Sequence, residues 1–492
     1  MRGAEVRELV RRTDPREWLR DGRVQGVATV LALAVLAVIV LAVTASSTPA
    51  HPRAARAGAA ATRAHARTAP AGPAFPLKMS ANRRYLVDQR GRPFLIVGDS
   101  PHSLIVNLSV ADADGFLAER ERQGFNAAWI ELLDDSYTGG RANGATYDGI
   151  VPFRTPGDLS TPNPAYFDRA AQILTAAARD HIAVFLDPIE TGGWLNVLRA
   201  NGRAADYRYG RYVATRFRRF TNIVWLSGND FANATDPTDD EAALAVARGI
   251  RSVSPQAPQT VELSPPNLVG SLSDPRWRPL ISLDAAYPFE FETTYAAVLG
   301  EYERRDHLPV FMVEASYDGE YQYTGPETLR REEYWTLLSG ATGQLYGNHW
   351  IWPFAQGWQQ HVVTAGTRQL ALATRLFAGR PWYRLVPDIR HGLVVGGYGA
   401  FDPTANTNAS TYVTAARTPD GRLAIAYVPS GAPIIVDMSR MAGPTRAQWY
   451  DPTDGRYRPS ADRLRNAGRR QFVPPGQNAG HGTDWVLVLT AG

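Results

Sequence analysis

Eight short apolar runs, each ending on polar or small residues, recur between residues 94 and 352. They are FLIVGDS (94–100), AAWIELL (127–133), AVFLDPI (183–189), NIVWLSGND (222–230), QTVELSP (259–265), ISLDAAYP (281–288), PVFMVEASY (309–317) and GQLYGNHWIW (343–352). Between them lie stretches with apolar residues at i, i+3 and i+4, among them DADGFLAERERQG, YFDRAAQILTAAARDH, YRYGRYVATRFRRF, EAALAVARGIRSV and TLRREEYWTLLSGA. Strands alternating with helices read as βα units around a parallel sheet. Eight of them predict an α/β fold, a (β/α)8 TIM barrel over residues 77–390. An open doubly wound sheet is the competing arrangement, but no G-x-G-x-x-G turn follows the first run. After residue 390 the pattern changes to period-two strands punctuated by turns, HGLVVGGYG, STYVTAART, RLAIAYVPS, PIIVDMS, RAQWYDPTDG, RQFVPP and DWVLVL. That pattern predicts a small antiparallel β-sandwich over 391–492.

The chain of 492 residues exceeds what one hydrophobic core serves, in keeping with two folded domains plus appendages. Residues 24–45, VQGVATVLALAVLAVIVLAVTA, are long enough to cross a bilayer as a helix. Seven arginines precede them within residues 1–23 and four follow, which predicts a cytoplasmic N-terminus and export of the rest. Val43-Thr44-Ala45 offers a cleavage site if the stretch is instead a signal sequence. The expected location is therefore the cell membrane with an extracytoplasmic catalytic domain, or secretion after cleavage. Residues 46–76 are an Ala/Pro/Arg tether without apolar periodicity. The chain has no cysteine, so stability outside the cell must come from the core. The formal net charge of +4 is concentrated at the start, where residues 1–72 hold eleven arginines against five acids; the remainder lies near −2. Without a basic stripe, no nucleic-acid partner is expected.

If NIVWLSGND is the fourth barrel strand, Gly228, Asn229 and Asp230 stand at its C-terminal end, the face where barrel enzymes keep their active sites. The other runs deliver Asp99 (first), Glu131 (second), Asp187 and Glu190 (third), Tyr287 (sixth), Glu314 (seventh), and Asn348, His349, Trp350 and Trp352 (eighth) to the same face. Carboxylates with aromatic rings suit glycoside hydrolysis: one acid protonates the leaving oxygen, another carboxylate attacks or activates water, and Trp and Tyr stack on sugar rings. Strands 4 and 7 face each other across a barrel mouth, so Asp230 and Glu314 are the catalytic pair of choice. Either alone could be a structural acid paired with arginine. Asp99 holds the first loop or touches a substrate hydroxyl; Glu131 and Tyr287 are substrate-binding candidates. Asp187 binds substrate or satisfies a neighbouring arginine. Trp352 and Trp194 are core residues or sugar platforms, with Trp194, in the loop TGGW, expected at the mouth. Asn348 joins them, and His349 reads as a sugar hydrogen bonder. His102 and His349 lack H-x-H or H-E-x-x-H spacing, so no metal site and no cofactor are expected.

RYLVDQRGRPFLIVGDS, GFNAAWIELL, PNPAYFDRAAQIL, NIVWLSGND, VEASYDGE and YWTLLSGATGQLYGNHWIWPF together resemble the apiosidase-like glycoside hydrolases. This is a (β/α)8 family often followed by a β-domain named for collagen binding. The tail from WYDPTDGRY to TDWVLVL resembles that β-domain, whose partner here is unknown. The resemblance implies that Asp230 is the general acid/base and Glu314 the nucleophile of a retaining hydrolase. Where the family commonly has Gly-Gly-Asp this chain has Gly-Asn-Asp, and in the broader retaining barrel superfamily an Asn at the place of Asn229 contacts the sugar. The loop GDSPHSLIVNLS departs from the aromatic-rich family pattern, so apiose specificity is not carried over. The resulting expectation is an extracytoplasmic retaining glycoside hydrolase acting on a polysaccharide or oligosaccharide. The alternative is a non-catalytic carbohydrate- or matrix-binding surface protein on a barrel scaffold, which would have no need of two opposed carboxylates.

Overall fold

The computed structural model describes residues 72–231, 237–264, 269–288, 293–321 and 324–492. The predicted N-terminal segment, the 24–45 stretch and most of the 46–76 tether lie outside the described residues. Among the described residues, no helix is long and apolar enough to cross a membrane.

The eight apolar runs form eight strands, β1 Ile96–Asp99, β2 Ala127–Glu131, β3 Ala183–Asp187, β4 Ile223–Ser227, β5 Gln259–Val261, β6 Asp284–Ala286, β7 Val310–Met312 and β8 Gly343–Tyr346. They lie in the order β5-β4-β3-β2-β1-β8-β7-β6, with parallel pairing throughout. The seam between β5 and β6 is bridged rather than laddered. Ser282 N–H donates to the Gln259 carbonyl at 2.8 Å, and the Thr260 hydroxyl donates to the Leu283 carbonyl at 3.2 Å. The Ser271 hydroxyl accepts from Ala285 N–H at 2.9 Å and donates to the Val261 carbonyl. These bonds nearly close the barrel.

Side-chain alternation explains the uninterrupted apolar runs. Ile96, Trp129, Phe185, Leu226, Phe311 and Leu345 fill the lumen, while Ile130, Val184, Leu186 and Trp225 face the helices. A strand covered on both faces reads as continuously apolar. After a one-turn helix at Leu104–Asn107, the longer helices are α1 Val110–Gln123, α2 Pro164–Arg179, α3 Thr191–Asn201, α4 Arg203–Phe217, α5 Pro237–Val253, α6 Thr294–Glu303, α7 Pro326–Leu338 and α8 Ala365–Ala378. Their starts follow capping chemistry: the Ser109 hydroxyl accepts from Asp112 N–H ahead of α1, and Asn163 caps α2 with Pro164 in its first turn. Two helices, α3 and α4, follow β3, whereas the described link between β5 and β6 holds only the 3-10 turn Ser271–Ser273.

Three short antiparallel strands, Lys78–Met79, Leu86–Val87 and Pro93–Phe94, precede the barrel and add Leu77, Leu86 and Phe94 to the lumen cluster. The chain joins this plug before residue 77. Ala74 N–H donates to Asp88 Oδ2 at 3.1 Å, its carbonyl accepts from Gln89 N–H at 2.8 Å, and Phe75 packs edge-on against Phe94. The tether predicted to run to residue 76 therefore yields its last residues to the fold.

The C-terminal strands are β9 Val386–Pro387, β10 Val394–Gly396, β11 Thr414–Arg417, β12 Leu423–Val428, β13 Ile434–Asp437, β14 Thr445–Tyr450, β15 Tyr457–Leu464, β16 Arg469–Phe472 and β17 Trp485–Ala491. They make a six-stranded sheet, β9-β11-β12-β17-β14-β15, and a three-stranded one, β10-β13-β16. One face of β12 and β17 (Ile425, Tyr427, Val486, Val488) packs with Trp335, Leu370 and Phe377 of α7 and α8. The other face (Ala424, Val428, Leu487, Leu489) builds the sandwich core. Both strands are thus covered twice, so LAIAYV and WVLVL, read from the sequence as period-two strands, are apolar on both faces. Strand β15 is missing from the sequence prediction because YRPSADRL is a polar edge strand interrupted by Pro459, largely exposed and paired only with β14.

Candidate active site

After Ser227 the chain turns through Gly228 at φ +92° and Asp230 at φ +50°. A Cβ on residue 228 would lie 2.5 Å from the Glu262 carbonyl oxygen, so the close approach of β5 requires glycine there. Asn229 is gripped by one hydroxyl: its N–H donates to Thr191 Oγ1, and that hydroxyl donates to the Asn229 carbonyl, both at 2.8 Å. Asp230 N–H donates to Glu262 Oε2 at 3.0 Å. The left-handed turn costs Asp230 about 1 kcal/mol, and these contacts from α3 and the end of β5 hold it.

The turn aims the Asp230 carboxyl group between two phenols. Tyr137 donates to Oδ2 and Tyr287 to Oδ1, each at 2.6 Å. The Tyr287 oxygen also lies 3.1 Å from Glu314 Oε1. Laid end to end, the 2.6 Å and 3.1 Å contacts put a ceiling of 5.7 Å on the separation of those two carboxyl oxygens. A phenol has one proton to donate, so when Asp230 takes it, Glu314 keeps its contact only as the donor. Burial first, then the charge of Asp230, pushes the Glu314 carboxyl well above its usual range.

The resulting cleft measures about 490 Å³ and is lined by five of the predicted residues, Asn229, Asp230, Tyr287, Glu314 and Trp352. His102, Tyr137, Thr138, Tyr317, Glu320 and Tyr321 complete much of its wall. Under it, Glu131 accepts from Asn229 Nδ2 and from the Thr138 hydroxyl, both at 2.6 Å, so Glu131 orients Asn229 from below. His102 Nδ1 stands 3.0 Å from Asn229 Nδ2 and 3.1 Å from Glu131, with its other nitrogen 3.3 Å from the Tyr317 hydroxyl. Burial pulls His102 down to about 3 and pushes Glu131 up, so their contact joins neutral groups and is not an ion pair.

The other predicted residues lie elsewhere. Asp99, read as a loop holder or a substrate contact, points instead to the helix layer, where Arg120 Nε donates to it at 2.6 Å. Asp187 is buried at the top of the lumen, accepting from Ile189 N–H at 3.0 Å. Trp194 is not at the mouth. TGGW opens α3, whose N-cap Glu190 accepts from Gly193 N–H, and Trp194 is 5% exposed, packed edge-on with Phe153. The capping acid overrides two glycines that made the segment look like a loop. Asn348 is buried, bonding Trp350 N–H and the Tyr346 hydroxyl. His349 sits beside Trp350 outside the cleft lining.

Sequence reasoning passed over Tyr137, Thr138, Tyr317 and Glu262. The signals were present: a tyrosine in the polar loop DDSYTGG after β2, a second polar position in VEASY, and a glutamate interrupting the apolar run QTVELSP. Among the described residues, no group of three or more His, Asp or Glu could hold a metal ion.

A barrel whose fourth and seventh strands deliver facing carboxyl groups into an aromatic cleft has the architecture of the glycoside hydrolase barrels. Two solved structures share the fold. One is a family 5 glycoside hydrolase from Bacteroides vulgatus ATCC 8482, with 20% identity, TM-score 0.71, and coverage of 84% of this chain and 93% of that one. The other is a glycoside hydrolase with 20% identity, TM-score 0.72, and coverage of 84% and 96%. No curated protein sequence matches the chain. The chain belongs to the apiosidase-like family, whose catalytic-domain model matches residues 80–384. Residues 403–490 match the model described as "putative collagen-binding domain of a collagenase".

Proposed function

We propose that this protein is a retaining glycoside hydrolase in which Asp230 is the general acid/base and Glu314 the nucleophile. The observation that carries this reading is the bridge through Tyr287, which holds one oxygen of each carboxyl group within 5.7 Å of the other, on the scale of the ~5–5.5 Å between the groups of a retaining pair. An inverting pair needs about 6.5–9.5 Å to admit a water. Two carboxyl groups this close do not both ionise readily, so the site holds a proton between them. With that proton on Asp230, Glu314 attacks the anomeric carbon while Asp230 protonates the departing oxygen. Asp230 then takes a proton from the water that displaces the sugar from Glu314.

Asn229, buttressed by Glu131, is placed to donate to a sugar hydroxyl, and Trp352 supplies an aromatic face. The described lining carries Asp230, Glu314 and Glu320 and neither arginine nor lysine, which favours an uncharged sugar over a uronate. The Arg-flanked apolar stretch 24–45 supports action outside the cytoplasm on a polysaccharide or oligosaccharide, with the membrane as the anchor of the uncleaved form. For the β-domain, the family likeness supports a collagen-like matrix ligand.

The test is kinetic and stereochemical, after a screen of aryl glycosides and polysaccharides finds a substrate. Glu314→Ala should lose turnover by about 10³-fold or more. Asp230→Ala should retain activity on an aryl glycoside whose leaving group needs no proton, and azide should rescue it as a glycosyl azide. Proton NMR should show the first product with retained configuration; inversion, or wild-type turnover by Glu314→Ala, overturns the pair.

A further inference from the structure

Glu262 has no part in the reaction sequence above, yet it touches the acid/base turn at three points. It follows β5 and is fully buried. Its own N–H donates to the Ser227 carbonyl at 2.9 Å, just before the turn. Its carbonyl oxygen occupies the space that a side chain on residue 228 would need. Its carboxylate accepts the Asp230 N–H at 3.0 Å through Oε2, while Oε1 has no hydrogen-bond partner. The residue so held has φ +50°, a conformation that aspartate adopts at a cost and keeps only where its surroundings impose it.

The side chain of Asp230 has less rigid support. Tyr137 is 47% exposed, and Tyr287 divides its attention between Asp230 and Glu314. Neither phenol fixes the main chain. A rotation of the peptide before Asp230 would swing its carboxyl away from both phenols and from the leaving-group oxygen.

We propose that Glu262 is a positioning residue for proton transfer to the leaving group, acting through the main-chain amide of Asp230. This rests on the acid/base reading of Asp230. A glutamate that merely supported the fold would, when changed, affect all substrates alike. One that positions the acid affects substrates in proportion to their need for a proton.

The experiment compares kcat/KM, which reports the glycosylation step, for a phenyl and a dinitrophenyl glycoside of the sugar that the wild-type full chain turns over. Glu262→Leu removes the acceptor at similar volume. Glu262→Asp withdraws it by one methylene while keeping the carboxyl group, and serves the same purpose if the leucine variant does not fold. Glu262→Gln retains a carbonyl acceptor. Leu and Asp should lose at least about tenfold on the phenyl glycoside and less than about twofold on the dinitrophenyl one, with Gln near wild type on both. Equal losses on the two leaving groups, no loss in Leu or Asp, or a Gln variant as impaired as Leu would each overturn the assignment. Failure of the underlying reading looks different: Asp230→Ala would then show no leaving-group dependence, whatever Glu262 does.

Discussion

Two buried regions of this protein carry charged side chains, and they treat them in opposite ways. At the contact between barrel and sandwich, which fall within one unit of the chain, Arg330 of α7 meets Asp484 in a two-pronged pair at 2.8 and 2.9 Å. Tyr427 at 3.1 Å and Asn478 at 2.7 Å satisfy the same carboxylate. Next to it, Arg331 donates to the carbonyls of Ser410 at 2.7 Å and Pro429 at 3.1 Å. At the barrel mouth, Glu131, Glu262 and Glu314 are buried with hydroxyl, amide or phenol partners, and burial pushes each of their carboxyl groups upward. Charge at the contact is neutralised and fixed; at the mouth it is held back, ready to appear when a proton moves. Removing the cation from a buried pair leaves an uncompensated charge, whereas an acid buried without one is pushed toward its neutral form.

The sharpest way to break this contrast is to remove the cation. Arg330→Ala leaves Asp484 buried without its partner and should cost about 3–5 kcal/mol, read as a large fall in melting temperature. The turnover per folded molecule should stay near wild type. A loss of activity without a loss of stability would show that the contact and the mouth are one functional unit.

A comparable effect, spread over pH, comes from Glu332, on the same helix. Its carboxyl accepts from the Ser316 hydroxyl at 2.8 Å, and burial pushes it up to about 8 from 4.5. A raised folded-state value means that the native protein binds the proton more tightly than the unfolded chain. Stability is then fullest below about pH 4.5 for this group and declines as pH rises to about 8, at up to 1.36 kcal/mol per pH unit. Melting temperature should be higher at pH 5 than at pH 8, and Glu332→Gln should narrow that gap. An unchanged gap assigns the slope to other acids.

The smallest effect tests the exposed phenol. Tyr137→Phe removes one hydrogen bond to Asp230 and should lower kcat/KM by roughly tenfold, about 1.5 kcal/mol, without moving the melting temperature. A phenylalanine variant as slow as Asp230→Ala would make Tyr137 a partner in the chemistry instead of a support.

Much of the barrel was legible in the chain because each strand needs apolar residues on both faces. The pair Asp230 and Glu314 was legible because it ends two such strands. What misled was local appearance. TGGW looks like a loop and opens a helix, so Trp194 belongs to the helix layer. Asp99 ends a strand as a catalytic acid would, but alternation turns its side chain outward to Arg120. Helix α6 and strand β15 were missed, the first because TTYAAVLGEYE is apolar nearly all round and has no clear period, the second because an edge strand tolerates polar residues and proline.

The eight strands, the change to an antiparallel domain and the two facing carboxyl groups can be read along the chain, since they depend on periodicity and on position along a strand. Tertiary structure alone decided what surrounds each charge. The run RREE in α7 reads as a solvated helix face, yet all four residues are buried: Arg330 and Arg331 meet Asp484, Ser410 and Pro429 of the sandwich, while Glu332 meets Ser316 of the barrel. The same holds at the mouth, where Glu262 is an ordinary residue of an apolar run until β4 and β5 bring its carboxylate to the amide of Asp230. Periodicity is carried by neighbours in the chain, whereas the partner of a buried charge comes from segments tens or hundreds of residues away, and only the folded packing brings them together.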